Sequence, residues 1–143
     1  MMFDYHAAVR GAFFDIAAVA DSADDIARHA RYLEDGVLFL RDGRVQALLP
    51  WQEGERYLHP QKGYRDLRGK LLLPGFVDAH VHYPQTEMIG AFGEQLLEWL
   101  TTYTFPVESQ FADADYAAEI AQFFVNQLLS HGTTTALVFC TLH

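Results

Sequence analysis

Phe76-Val77-Asp78-Ala79-His80-Val81-His82 is the stretch on which the fold turns. Small and β-branched residues alternate with polar ones, the pattern of an extended strand. Alternation places Asp78, His80 and His82 on one face. Val77, Ala79 and Val81 take the other face, where they are expected to pack beneath helices. Two imidazoles, two residues apart on one rigid strand face, can both reach a single metal ion. Nitrogen ligands at ~2.0–2.1 Å suit zinc, and a catalytic zinc keeps one position open for water. Two His ligands alone do not separate zinc from iron. A bare His-x-His also occurs by accident in many strands. Here the pair follows the apolar run Leu71-Leu72-Leu73 and the Pro74-Gly75 turn, ends a strand and opens a long loop. Asp78 is either a hydrogen-bond partner behind such ligands or an inward-facing polar group.

Downstream, the connection is expected to include a short helix over 94–101. Asp113 or Asp115 then caps a strong helix whose packed face carries Tyr116, Ile120, Phe123, Phe124, Gln127 and Leu128. Gly132 stands where a left-handed residue closes a helix, with His131 in the cap region, where it favours the helix dipole. Thr133 to Phe139 is β-branched and apolar, which predicts a buried strand. Strand, helix, strand is the unit of a parallel sheet. The C-terminal ends of such strands are where barrel enzymes carry their sites.

Upstream, the pattern is one of short strands and turns. A strand is expected over 11–16. Residues 21–34 read as a helix, capped by Asp21 or Ser22, with Ile26, Ala30 and Leu33 at helical spacing and Gly36 as its stop. Residues 37–41 and 44–48 read as a hairpin around Asp42-Gly43, since both turn positions need positive φ. Pro50 ends it, and 52–61 reads as a polar loop. Two domains follow from this change of pattern, residues 1–70 and 71–143.

Charge follows the same division. The chain has 143 residues, 50% of them hydrophobic, and a net charge of -9. All ten Lys and Arg lie between Arg10 and Lys70, whereas Leu71 to His143 holds eight acidic residues and no basic one. A surface without cations cannot neutralise phosphates, which argues against nucleic-acid binding through this half. No apolar run reaches the ~20 residues of a membrane span. The N-terminus lacks the basic start and apolar core of a signal peptide. One cysteine, Cys140, rules out an internal disulfide framework and fits a cytoplasmic setting.

Leu73 to His82 resembles the first barrel strand of the amidohydrolase superfamily. Four further segments narrow the resemblance to guanine deaminases of the bacterial type: Tyr83-Pro84-Gln85-Thr86-Glu87-Met88-Ile89-Gly90, Leu96-Leu97-Glu98-Trp99-Leu100, Tyr103-Thr104-Phe105-Pro106-Val107-Glu108 and Gly132 to Phe139. Val9 to Phe13, Glu34-Asp35-Gly36 and Asp66 to Lys70 are similar as well. The resemblance implies an α/β fold: the start of a (β/α)8 TIM-type metal-dependent hydrolase barrel, preceded by part of a small β-sandwich domain. It implies one zinc per site, with iron as the other candidate, held by His80 and His82. It implies that His82, Tyr83, Pro84 and Gln85 contact the purine; the Gln85 amide offers a donor and an acceptor to a base edge. The implied reaction is hydrolysis of guanine to xanthine and ammonia, in a cytoplasmic homodimer that binds neither nucleic acid nor membrane. Trp99, Tyr103 and Phe105 are candidates for pocket walls, and His143 for a pocket residue at the same mouth.

A (β/α)8 barrel takes ~250 residues, so 71–143 accounts for about two strands and one long helix. No catalytic acid or base is identifiable here; the family's Glu and Asp, with a further His pair, are expected beyond His143. The chain therefore reads as the N-terminal third of an enzyme. Two other readings stay open: another amidohydrolase acting on a related cyclic amidine, and a truncated non-catalytic remnant.

Overall fold

The Asp42-Gly43 turn forms as the sequence requires. In a computed structural model that describes residues 4–93 and 95–143, the two residues sit at φ 50° and 71°. They join two strands that pair antiparallel from Arg41–Arg44 to Gly36–Pro50. In chain order the first unit contains β1 (Ala7–Ile16), the short helix α1 (Ala23–His29), β2 (Ala30–Arg41), β3 (Arg44–Pro50), a helical turn α2 (Trp51–Gly54) and β4 (Arg65–Leu72). Its sheet has the order β3-β2-β1-β4, with β4 parallel to β1 and the other pairs antiparallel.

The helix expected over 21–34 is only half present. Ser22 caps it, its hydroxyl accepting from the Asp25 N–H, but α1 stops at His29. Residues 30–34 instead extend β2, with Ala30, Arg31 and Tyr32 opposite Ile16, Asp15 and Phe14. The Arg31 guanidinium grips Asp15 across the strands. Pairing with β1 outweighs a weak local helical preference, and Gly36 becomes a strand residue rather than a helix stop. β1 is correspondingly longer than 11–16. The expected loop over 52–61 includes the last residues of α2 and a further helical turn at Glu55–Tyr57.

The first unit's core is Tyr5, Ala8, Val37 and Phe39, all buried, with Leu49, Trp51 and Leu58 packed on it. Tyr5 and Phe39 meet edge to face, and the Tyr5 hydroxyl accepts the His59 N–H at 2.7 Å. Arg10 pairs with Asp35 through two bonds of 2.8 and 2.6 Å and lies 3.6 Å over the Trp51 ring. That pairing draws the Asp35 carboxyl below its ordinary range.

The contacts divide the chain between Pro74 and Gly75, because Leu71 and Leu72 pair with Ala12 and Phe13 in the first sheet. The second unit begins with β5 (Phe76–His82). A turn over Tyr83–Met88 follows, then α3 (Leu96–Trp99), a π-helical turn (Leu100–Thr104), α4 (Phe105–Ser109), α5 (Ala114–Ser130) and β6 (Thr133–Phe139). Glu94, where the connecting helix was expected to start, lies outside the described residues. β5 and β6 pair in parallel, Phe76 with Thr133 and His82 with Phe139, so the strand-helix-strand unit forms. Asp113 caps α5 through its carboxylate, which accepts from Asp115 and Tyr116, and Gly132 takes φ 85°.

Two expectations about burial fail here. Ile120 and Phe124 are buried on α5, but Phe123 is 52% exposed and Gln127 is also exposed. β6 is not a buried strand, with Leu137 61% and Phe139 41% exposed. Val77 and Ala79 on β5 are exposed as well. An apolar strand is buried only by what packs on its faces, and among the described residues β6 pairs with β5 alone.

Candidate active site

β5 brings the two candidate ligands together. The Nε2 atoms of His80 and His82 lie 3.1 Å apart, so two residues on one strand face converge on one point. Two nitrogens each ~2.0–2.1 Å from a shared zinc fall at about this separation. Among the described residues no third His, Cys, Asp or Glu gathers with them. Asp78 lies on the same face, and its carboxylate accepts the His80 backbone N–H at 3.0 Å rather than a ring nitrogen.

A residue of β6 holds the imidazole planes. Phe139 stacks on His82 at 4.8 Å and 15° and lies 4.5 Å from the His80 ring. The parallel register sets His82 opposite Phe139 and makes this contact. Sequence periodicity marks Phe139 only as an apolar strand residue; its role needs the register.

The turn after His82 is anchored at each end. Pro84 is fully buried, and Tyr83 meets Phe111 edge to face at 5.1 Å. Burial pushes the Tyr83 phenol above its usual range. Gln85 donates from Nε2 to a carboxylate oxygen of Glu108 on α4 at 3.2 Å. Glu87 accepts from the Tyr116 hydroxyl at the start of α5. Burial and this bond raise the Tyr116 pKa from 10.0 to about 12. A raised tyrosine pKa contributes stability that is complete below pH 10 and lost as pH climbs to about 12. Accordingly, Tyr116→Phe is expected to show a shallower fall in melting temperature across that alkaline window than the parent chain. Parallel melting curves would sink this account.

A groove of about 540 Å³ opens beside the pair, lined in part by His80, His82, Gln85, Trp99, Phe124 and His131. That volume is within the ~300–1,000 Å³ of small-molecule clefts. Of the three expected aromatic walls, Trp99 lines it, while Tyr103 and Phe105 do not. His143 is not among its lining residues either, its main-chain N–H donating to Thr141. His131 closes α5, its Nδ1 2.8 Å from the Gln127 carbonyl. His6, His29 and His59 belong to the first unit, where His6 and His29 face Asp42 and Asp25.

The amidohydrolase family model matches residues 71–143. Guanine deaminase of Escherichia coli K12 is 51% identical over 136 residues, which is 95% of this chain and 31% of that protein. Guanine deaminase of Homo sapiens is 44% identical over 75 residues, 52% of this chain and 16% of that protein. Among solved structures, E. coli guanine deaminase superposes with a TM-score of 0.91 at 50% identity, covering 96% of this chain and 32% of that one. Guanine deaminase from C. acetobutylicum, with guanine bound in its active site, superposes with a TM-score of 0.77 at 26% identity, over 96% of this chain and 30% of that one. The chain thus spans about a third of the length of these bacterial relatives. Its mixed α/β fold matches theirs.

Proposed function

The chain belongs to the amidohydrolase family, and from that premise we propose that it carries the first metal ligands and the purine-binding turn of a guanine deaminase. The single observation that carries the reading is the convergence of His80 and His82 Nε2 at 3.1 Å, on a strand that runs directly into the Gln85 turn. The identity to guanine deaminases across both units supports it.

In this reading β5 is the first strand of a (β/α)8 barrel, and the four-stranded sheet of the first unit is part of a small β-sandwich. His80 and His82 hold one divalent ion, zinc by preference for nitrogen ligands, with iron the other candidate. The ion, when bound, makes a hydroxide nucleophile available near neutral pH. Phe139 keeps the imidazole planes from rotating away. The main chain of His82, Tyr83 and Pro84 and the amide of Gln85 bind the purine and set its edge toward the pair. Water adds its oxygen to the carbon bearing the exocyclic amine, that C–N bond breaks, and xanthine and ammonia leave. We assign no acid/base residue within this chain. The enzyme is proposed to be a homodimer, and the single cysteine supports a cytoplasmic setting.

Guanine turnover by a complete enzyme carrying this chain, followed by ultraviolet absorbance, tests the substrate. Gln85→Ala is expected to raise the guanine KM about tenfold, the loss of one well-placed hydrogen bond, with a smaller change in kcat. Unchanged constants would instead favour a different cyclic amidine as substrate.

A further inference from the structure

Resting on the guanine reading, we propose that Glu108 is the positioning residue that fixes which way the Gln85 amide faces, and thereby which hydrogen-bonding pattern the site offers a purine. A glutamine side chain carries an acceptor and a donor group of nearly equal size, so an unconstrained amide can present either. An ionised carboxylate can only accept. With Glu108 3.2 Å from Nε2, the NH2 group of Gln85 must turn toward α4. Its Oε1 is then committed to the opposite side as an acceptor, and one N–H remains beside it. The ring and amino N–H groups of guanine are donors that such an oxygen can receive. Both partners are partly buried, where a charge-assisted bond weighs more than in open water.

The fold shows how Glu108 comes to face the turn. The helical segment from Leu96 to Ser109 is interrupted by a π-helical turn at Leu100–Thr104. One extra residue in a turn swings everything after it by ~100° relative to an unbroken α-helix. Thr104, at the end of that turn, is buried, and α4 packs against the Tyr83–Met88 turn. Glu108 is thus aimed at Gln85 by a backbone irregularity, which no amphipathic pattern would indicate.

The test compares Glu108→Gln with the parent in the complete, zinc-loaded enzyme that carries this chain. Glutamine keeps the size but offers both donor and acceptor, so the bias on Gln85 is lost while packing is retained. The Gln85 side-chain NH2 resonances, assigned with Gln85→Ala, are expected to shift and broaden in Glu108→Gln. Guanine KM is expected to rise roughly three- to tenfold with kcat within about twofold and an unchanged melting temperature. In a Gln85→Ala background the same substitution is expected to change KM no further, since its effect passes through that amide. Unaltered Gln85 resonances, or additive KM effects in the double variant, overturn the proposal. A parallel fall in kcat and melting temperature overturns it too, by making Glu108 a general support of the fold. Shifted resonances with a normal guanine KM in Gln85→Ala would uphold the clamp and overturn the guanine reading instead.

Discussion

In a complete enzyme carrying this chain, replacing His80 with alanine is expected to abolish guanine turnover and zinc retention together. On the proposed reading the two nitrogens 3.1 Å apart chelate one ion, and one imidazole left on the strand face does not hold it against dilution. The loss is expected to exceed the ~10–100-fold that removing an outer-shell partner of a ligand costs. Zinc content after gel filtration, measured beside activity, reads both effects. If the pair were only a packed polar patch, His80→Ala would lose little beyond the contact with Phe139, worth ~0.5–1.5 kcal/mol for a pair of rings. Retained zinc and near-normal turnover in the variant would therefore end the metal assignment. Dialysis against a chelator gives the complementary result: activity lost, then restored by added zinc.

Gly75→Ala is expected to give the largest loss of stability in the second unit. A Cβ at this position would stand 1.8 Å from Thr134 Oγ1 and 2.6 Å from Thr134 Cβ. Rotating the threonine side chain moves the oxygen but not its Cβ, so the backbone has to shift. The shift falls where the parallel pair starts, beside the Phe76 N–H bond of 2.8 Å to the Gly132 carbonyl. Overpacking of this kind costs about 1–3 kcal/mol, or roughly 4–8 °C of melting temperature per kcal/mol in a unit of this size. Thr134→Gly removes the obstructing Cβ, so it is expected to hurt the parent chain but to hurt Gly75→Ala much less. Additive destabilisation in the double variant would show that the steric account is wrong.

Several features were legible in the sequence because they depend on contacts between close neighbours. Asp42-Gly43 specified its turn through positive φ. Asp113 and Gly132 bounded α5 through orphan backbone groups and left-handed geometry. Alternation along β5 was enough to place His80 and His82 on one face, since the side-chain period of a strand is 2. The spacing did not require that Phe139 stack on both rings. That followed from the parallel register of β6, a partner 57 positions away from His82.

Where long-range pairing competed with local preference, the sequence misled. Ala30 and Leu33 matched a helical period, yet cross-strand partners on β1 drew them into β2. Phe123 and the residues of β6 were apolar enough for a core, yet apolarity states only what a side chain prefers, and burial depends on what is packed against it. Glu108 had no reading of its own in the sequence; it meets Gln85 across 23 positions, after a helical segment interrupted by a π turn. The sequence by itself therefore determined the convergent histidine pair, the caps and the hairpin, each written in residues a few positions apart. Tertiary structure alone decided what supports the pair and orients the turn beside it, since those contacts join residues 23 to 59 positions apart, and no local pattern encodes which distant side chains will meet.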